Sequence, residues 1–163
     1  MPVERAALRA LAVALQTDIA AIQRLAGFVA RFTADIESVP RDADRVWAAA
    51  MALHHLYNAI EHAFERIART FDERVADQAR WHRELLGRMF EELPGARPAV
   101  VSAEVRSTLE ELLSFRHFVR HAYDVALEPR HIAVVLRFWE EQRTELLQQL
   151  RTFVSFVEGE REA

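Results

Sequence analysis

Leu8, Leu11, Leu15, Ile19, Ile22, Leu25, Val29, Phe32 and Ile36 follow one another in unbroken steps of three and four. Side chains at that spacing share one stripe of an α-helix but would alternate irregularly between the faces of a strand, so only a helix buries them together. The spacing predicts one long amphipathic helix between Pro2 and Pro40, which Pro40 stops. A second helix is expected to begin near Asp42 or Asp44 and to carry Trp47, Met51, Tyr57, Ile60, Phe64, Ile67 and Phe71. The two should pack antiparallel.

A shorter third helix is expected from Asp77 to Glu92, with Trp81, Leu85, Met89 and Phe90 facing the core, until Leu93-Pro-Gly-Ala-Arg-Pro98 breaks it. Ser102 is placed to cap a fourth helix that runs to about Asp124. Pro129 suits the first turn of a fifth, which carries Ile132, Val135, Leu136, Trp139, Leu146, Leu150, Phe153 and Val157. Trp47, Trp81 and Trp139 all fall at core spacing. With no strand-like alternation and no internal repeat, the expected fold is all-α, an up-and-down bundle of about five helices. Residues 1–158 make one domain, and 159–163 read as a frayed polar tail.

Apolar residues form 51% of the 163-residue chain, enough for one sizeable core. Cysteine is absent, which removes disulfides and thiolate metal sites. The opening MPVERAALRALAVAL interrupts its apolar residues with Glu4, Arg5 and Arg9, so neither a signal peptide nor a membrane span is expected, and the chain is assigned to the cytoplasm. All 21 basic residues are arginine, yet the formal charge is −4. A protein that coats nucleic acid non-specifically relies on many cation–phosphate contacts, so any polyanion site here has to be local.

One segment has that character: Ser114-Phe-Arg-His-Phe-Val-Arg-His-Ala-Tyr-Asp124. On a continuous helix Arg116, His117, Arg120, His121, Tyr123 and Asp124 would share an arc of about 160°, opposite Leu112, Phe115, Phe118, Val119, Ala122 and Val125. A solvated face ordinarily mixes acids with bases, whereas this one has a single acid. From Ser114 to Arg137 four arginines oppose Asp124 and Glu128, a local charge of +2 on an acidic protein. That is the charge pattern of a confined anion site. Arginine offers a fork of donors to phosphate and histidine exchanges protons near neutral pH, a pairing suited to phosphodiester cleavage without a metal or cofactor.

The stretch Arg116-His-Phe-Val-Arg-His-Ala-Tyr123 resembles the R-x4-H-x-Y signature of HEPN-domain ribonucleases, in particular the HepT toxins of HepT–MNT toxin–antitoxin pairs. R-x4-H alone should arise by chance about once in a chain of this composition, and the tyrosine two residues on is what gives the match weight. The chain departs from the HepT pattern at His117, where asparagine is common but the wider HEPN pattern admits Asn, Asp or His, and at Arg120.

The resemblance implies a HEPN-like helical bundle that dimerises so that Arg116 and His121 of both protomers line one RNA cleft. It implies His121 as general acid or base, Arg116 as transition-state stabiliser, and His117 and Arg120 as phosphate-binding residues. It also implies a nucleotidyltransferase antitoxin that attaches AMP to Tyr123. The alternative is a non-catalytic HEPN-like protein that binds a nucleotide or accompanies a nucleotidyltransferase; a plain oligomerising scaffold is third.

His54, His55 and His62 lie beside Glu61 on the second helix, and a metal site there is the weaker reading beside surface or core-edge histidines, because HExxH and paired Glu-x-x-His motifs are missing. Tyr57, Asn58 and Glu61 form a polar stripe that either faces the same cleft or hydrogen-bonds between helices.

Overall fold

The computed structural model describes residues 3–37, 42–72, 80–122 and 125–162. Five helices appear, α1 (Arg5–Thr33), α2 (Ala43–Phe71), α3 (Trp81–Met89), α4 (Arg106–His121) and α5 (Pro129–Glu162), with a 3-10 turn at Ala103–Val105 leading into α4. No strand occurs among the described residues, and the all-α bundle expected from the spacing is the fold.

Long-range side-chain bonds give the directions. Arg66 near the end of α2 reaches Asp18 in the middle of α1, and Arg45 at the start of α2 reaches Asp35 just past the end of α1, so the two are antiparallel. Gln16 meets Glu158 and Thr33 meets Glu140, which makes α5 antiparallel to α1. The packing order is α1 on α2 and α5, α4 on α2 and α5, and the short α3 against α2 and α4. The apolar stripe of each helix closes one core, in which Ile22, Val29, Leu56, Ile60, Phe64, Ile67, Leu109, Val135 and Trp139 are all fully buried.

Several expected boundaries move. Helix α1 spans Arg5–Thr33 and is followed by a turn, so it is shorter than the interval between Pro2 and Pro40, and Pro40 lies outside the described residues. Helix α3 begins at Trp81 and ends at Met89, short of Glu92; Asp77 also lies outside the described residues. Ser102 does act as a cap, accepting from the Glu104 amide, but of the 3-10 turn that precedes α4. Helix α5 continues to Glu162 instead of fraying after Glu158.

Two of the three tryptophans depart from the expected core. Trp139 is fully buried, Trp81 is half-buried with its indole N–H donating to Glu65 at 3.4 Å, and Trp47 is 43% exposed. Met51, which is 37% exposed, and Trp47 sit in the second and third turns of α2, on a side of the helix that the described residues leave partly open.

The 93–98 segment is a tight turn with Gly95 at φ 77, the left-handed region that glycine tolerates best. Leu93 and Arg97 exchange two backbone hydrogen bonds across it. This aims the Arg97 side chain inward, where it bridges both carboxylate oxygens of Asp72 and donates to the carbonyls of Arg88, Glu91 and Pro98. The last carbonyls of a helix have no partner within it, and Arg97 supplies one.

Candidate functional site

Helix α4 runs antiparallel to α2, so residues late in α4 face residues early in α2. Its apolar side, Leu109, Leu112 and Phe115, is buried, and this fixes the roll that brings Arg116 against α2. Arg116 Nε–H donates to Asn58 Oδ1 at 2.6 Å, and a terminal guanidinium nitrogen lies 3.6 Å from Glu61 Oε1. The other carboxylate oxygen of Glu61 accepts from His82 Nδ1–H at 2.8 Å, tying α3 into the same network. Asn58 and Glu61 thus hydrogen-bond and pair between helices, the second of the two uses the sequence allowed, and they do so with a residue of the motif. The Arg116 side chain is 11% exposed and Glu61 7%.

One turn further on, an open groove of about 430 Å³ between α2 and α4 is lined by Met51, His54, Val119, Arg120 and His121. His121 is exposed, and its Nδ1 lies 2.8 Å from the His117 carbonyl oxygen. A carbonyl can only accept, so Nδ1 carries a hydrogen, and in the neutral ring Nε2 keeps its lone pair. The His117 ring lies against that of His121, tilted by 36° with centroids 4.3 Å apart. Arg120 is exposed at the same lip.

The motif residues are therefore divided between two depths. His117, Arg120 and His121 are exposed near the groove, with Arg120 and His121 lining it, while Arg116 lies behind, held by α2. Helix α4 ends at His121, with Ala122 as its cap, short of the expected Asp124. Tyr123 and Asp124 lie outside the described residues.

His54, His55 and His62 do not gather. His54 turns into the groove and bonds Asn58, His55 is exposed, and His62 lies 3.9 Å from Glu65 on the outer side of α2. No three metal-ligating side chains converge among the described residues. Burial first, then the charges of Arg116, His55 and Arg120, push His54 below the ordinary histidine range. Burial and the neighbouring Glu61 push the Tyr57 hydroxyl well above the ordinary tyrosine value, against the opposing pull of Arg116.

His82 was invisible in the sequence as part of this site, since only the packing of α3 on α2 brings it to Glu61, 21 residues away. Met51 read as core and instead floors the groove. A second recess, of about 190 Å³ between the end of α1 and the start of α5, has Glu37 and Arg137 as its only charged lining residues, and their opposite signs give it no preference for an anion.

These features define a five-helix bundle, the fold that the HEPN resemblance implies, with a groove lined by Arg120 and His121 at the end of its fourth helix. A family model described as HepT-like protein matches residues 48–157, two-thirds of the chain, and the chain belongs to that family, one of HEPN ribonuclease toxins. The matched span contains every residue that lines the groove and the Asn58, Glu61 and His82 network behind it. No curated protein and no solved structure matches the chain. No helix among the described residues is long and apolar enough to cross a membrane.

Proposed function

We propose that the chain is a HepT-like toxin, a cytoplasmic endoribonuclease that cuts RNA without a metal. The observation that carries this reading is the fixed tautomer of His121. The His117 carbonyl holds its Nδ1–H, so Nε2 presents a lone pair at a cationic groove, as a base that takes a proton from a ribose hydroxyl must. The attacking oxygen displaces the leaving oxygen from phosphorus, and the resulting imidazolium, or its counterpart in a second protomer, returns a proton to that leaving oxygen. Arg120 and His117 bind the phosphate at the lip, and Arg116 stabilises the charge that builds on the non-bridging oxygens of the phosphorus.

One groove supplies half of the cations in this scheme. The exposed Trp47 and Met51 beside it support a two-fold partner on the same face, which would place both copies of Arg116 and His121 along one cleft. A nucleotidyltransferase antitoxin would neutralise the toxin by attaching AMP to Tyr123, whose added phosphate would compete for the arginines meant for RNA. The test is induced expression of the chain alone beside the Arg116→Ala, His121→Ala double variant, scoring growth and RNA integrity. Growth arrest with RNA fragmentation by the wild type only is the expected result. Intact RNA in both would instead favour a non-catalytic companion of the nucleotidyltransferase.

A further inference from the structure

The polarity of the hydrogen bonds behind the groove is forced from one end. A guanidinium only donates, so Asn58 must turn its oxygen to Arg116 and its NH2 to His54, 3.0 Å away at Nε2. An NH2 group only donates as well, so His54 Nε2 must be a bare acceptor and the one proton of the neutral ring must sit on Nδ1. That Nδ1 is buried and has no hydrogen-bond partner among the described residues. A histidine kept merely for solubility would give that nitrogen to water. Here the ring tolerates an orphaned donor while Nε2 serves Asn58.

We infer that His54 is a positioning residue of the groove: as a neutral acceptor it orients the Asn58 amide, and the amide oxygen orients Arg116. Protonating His54 would set an N–H against the NH2 of Asn58 and force that amide to turn, which takes its oxygen away from Arg116. The groups facing His54 oppose that protonation, with Arg116, Arg120 and His121 on α4 and His55 on its own helix all cationic or able to become so. Among the described residues no acid faces it to favour the charged form; Glu61 is engaged by Arg116 and His82.

The effect on cleavage rests on Arg116 acting as proposed above, whereas the chain of bonds does not, and the experiment separates the two. In the full-length protein labelled with 15N, the ring nitrogen shifts of His54 should report the Nδ1–H tautomer at neutral pH. Asn58→Asp should convert it to an Nε2–H donor and raise its titration midpoint by about one pH unit or more, because a carboxylate accepts and carries charge. A wild-type His54 protonated on Nε2 at neutral pH would overturn the inference.

In the cleavage arm, His54→Leu should lower kcat by roughly 10- to 100-fold with KM little changed, as expected when a catalytic group is misplaced by about an ångström. His54→Gln, which puts an amide oxygen near the place of Nε2, should rescue most of that rate and make the acidic limb of the pH profile shallower by one proton. If His54→Leu cleaves at the wild-type rate, Arg116 does not need His54 and the inference fails. If the wild type cleaves no RNA, the ribonuclease reading fails by itself and the tautomer measurement still decides the positioning role.

Discussion

Replacing Glu61 by leucine should destabilise the bundle far more than removing an exposed charge, because it strands Arg116. The two side chains are 7% and 11% exposed and their charged atoms 3.6 Å apart. At that separation two unit charges attract by about 4–5 kcal/mol for an effective dielectric constant of ~20. Desolvation of both groups offsets most of this, so the pair adds little net stability. Removing one partner is another matter, since the desolvation of the other is then uncompensated, at a cost of about 3–5 kcal/mol.

His82 loses its acceptor in the same variant. For a chain of this size each kcal/mol lowers Tm by about 2–4 °C, so the expected fall is roughly 6–20 °C. Urea denaturation followed by circular dichroism measures it directly, provided the slope with denaturant is unchanged. Arg116→Met in the Glu61→Leu background should recover part of the loss, a coupling of about 1–3 kcal/mol. A single-variant loss below about 1 kcal/mol, or strict additivity of the two changes, would refute the claim that this pair locks α4 to α2.

Arg97→Met should cost about 3 kcal/mol, because the buried Asp72 carboxylate loses its two-pronged partner and keeps only Arg88, 3.8 Å away, while the Glu91 and Pro98 carbonyls lose a donor; chemical denaturation reads it. Tyr57 has a folded-state pKa above the unfolded value of 10, so its contribution to stability is complete below about pH 10 and is lost as pH rises from there towards the folded value. The chain has no lysine to titrate in that range, so the alkaline decline of about 1.4 kcal/mol per pH unit should flatten in Tyr57→Phe when unfolding is followed between pH 9 and 12. His121→Gln should abolish RNA cleavage, since an amide cannot exchange a proton at neutral pH, and EDTA should leave the wild-type rate unchanged; metal-dependent rescue after chelation would contradict the mechanism. Co-expression with a nucleotidyltransferase of the antitoxin type should add AMP mass to the wild type but not to Tyr123→Phe, as intact-mass analysis would show.

The sequence by itself determined that the chain is a helical bundle, and its R-x4-H-x-Y segment carried the resemblance to the family it belongs to. Steps of three and four repeat over almost every helix, and burying such a stripe is a local demand that each segment states independently. The same period put Arg116, His117, Arg120 and His121 on one side of α4 and Phe115 and Leu112 on the other; Phe115 and Leu112 are buried, while packing draws Arg116 against α2 and leaves the other three exposed. It did not give the ends of helices correctly where the apolar spacing outlasts the packing, as at Ile36, or stops before it, as at Glu158.

Tertiary structure alone decided what each helix stripe meets. Trp47 and Met51 keep perfect core spacing on α2, but among the described residues only the side of these turns that carries Val46, Ala49 and Ala50 is buried, so Trp47 stays exposed and Met51 lines a groove. Asn58 and Glu61 were legible as a polar stripe, yet whether they faced water or a partner depended on α4 approaching in antiparallel register, 58 residues away in the chain. The tautomer of His54 is more remote still. It follows from a guanidinium on one helix fixing an amide on another, a relation between directed donors and acceptors that no spacing within a single helix encodes.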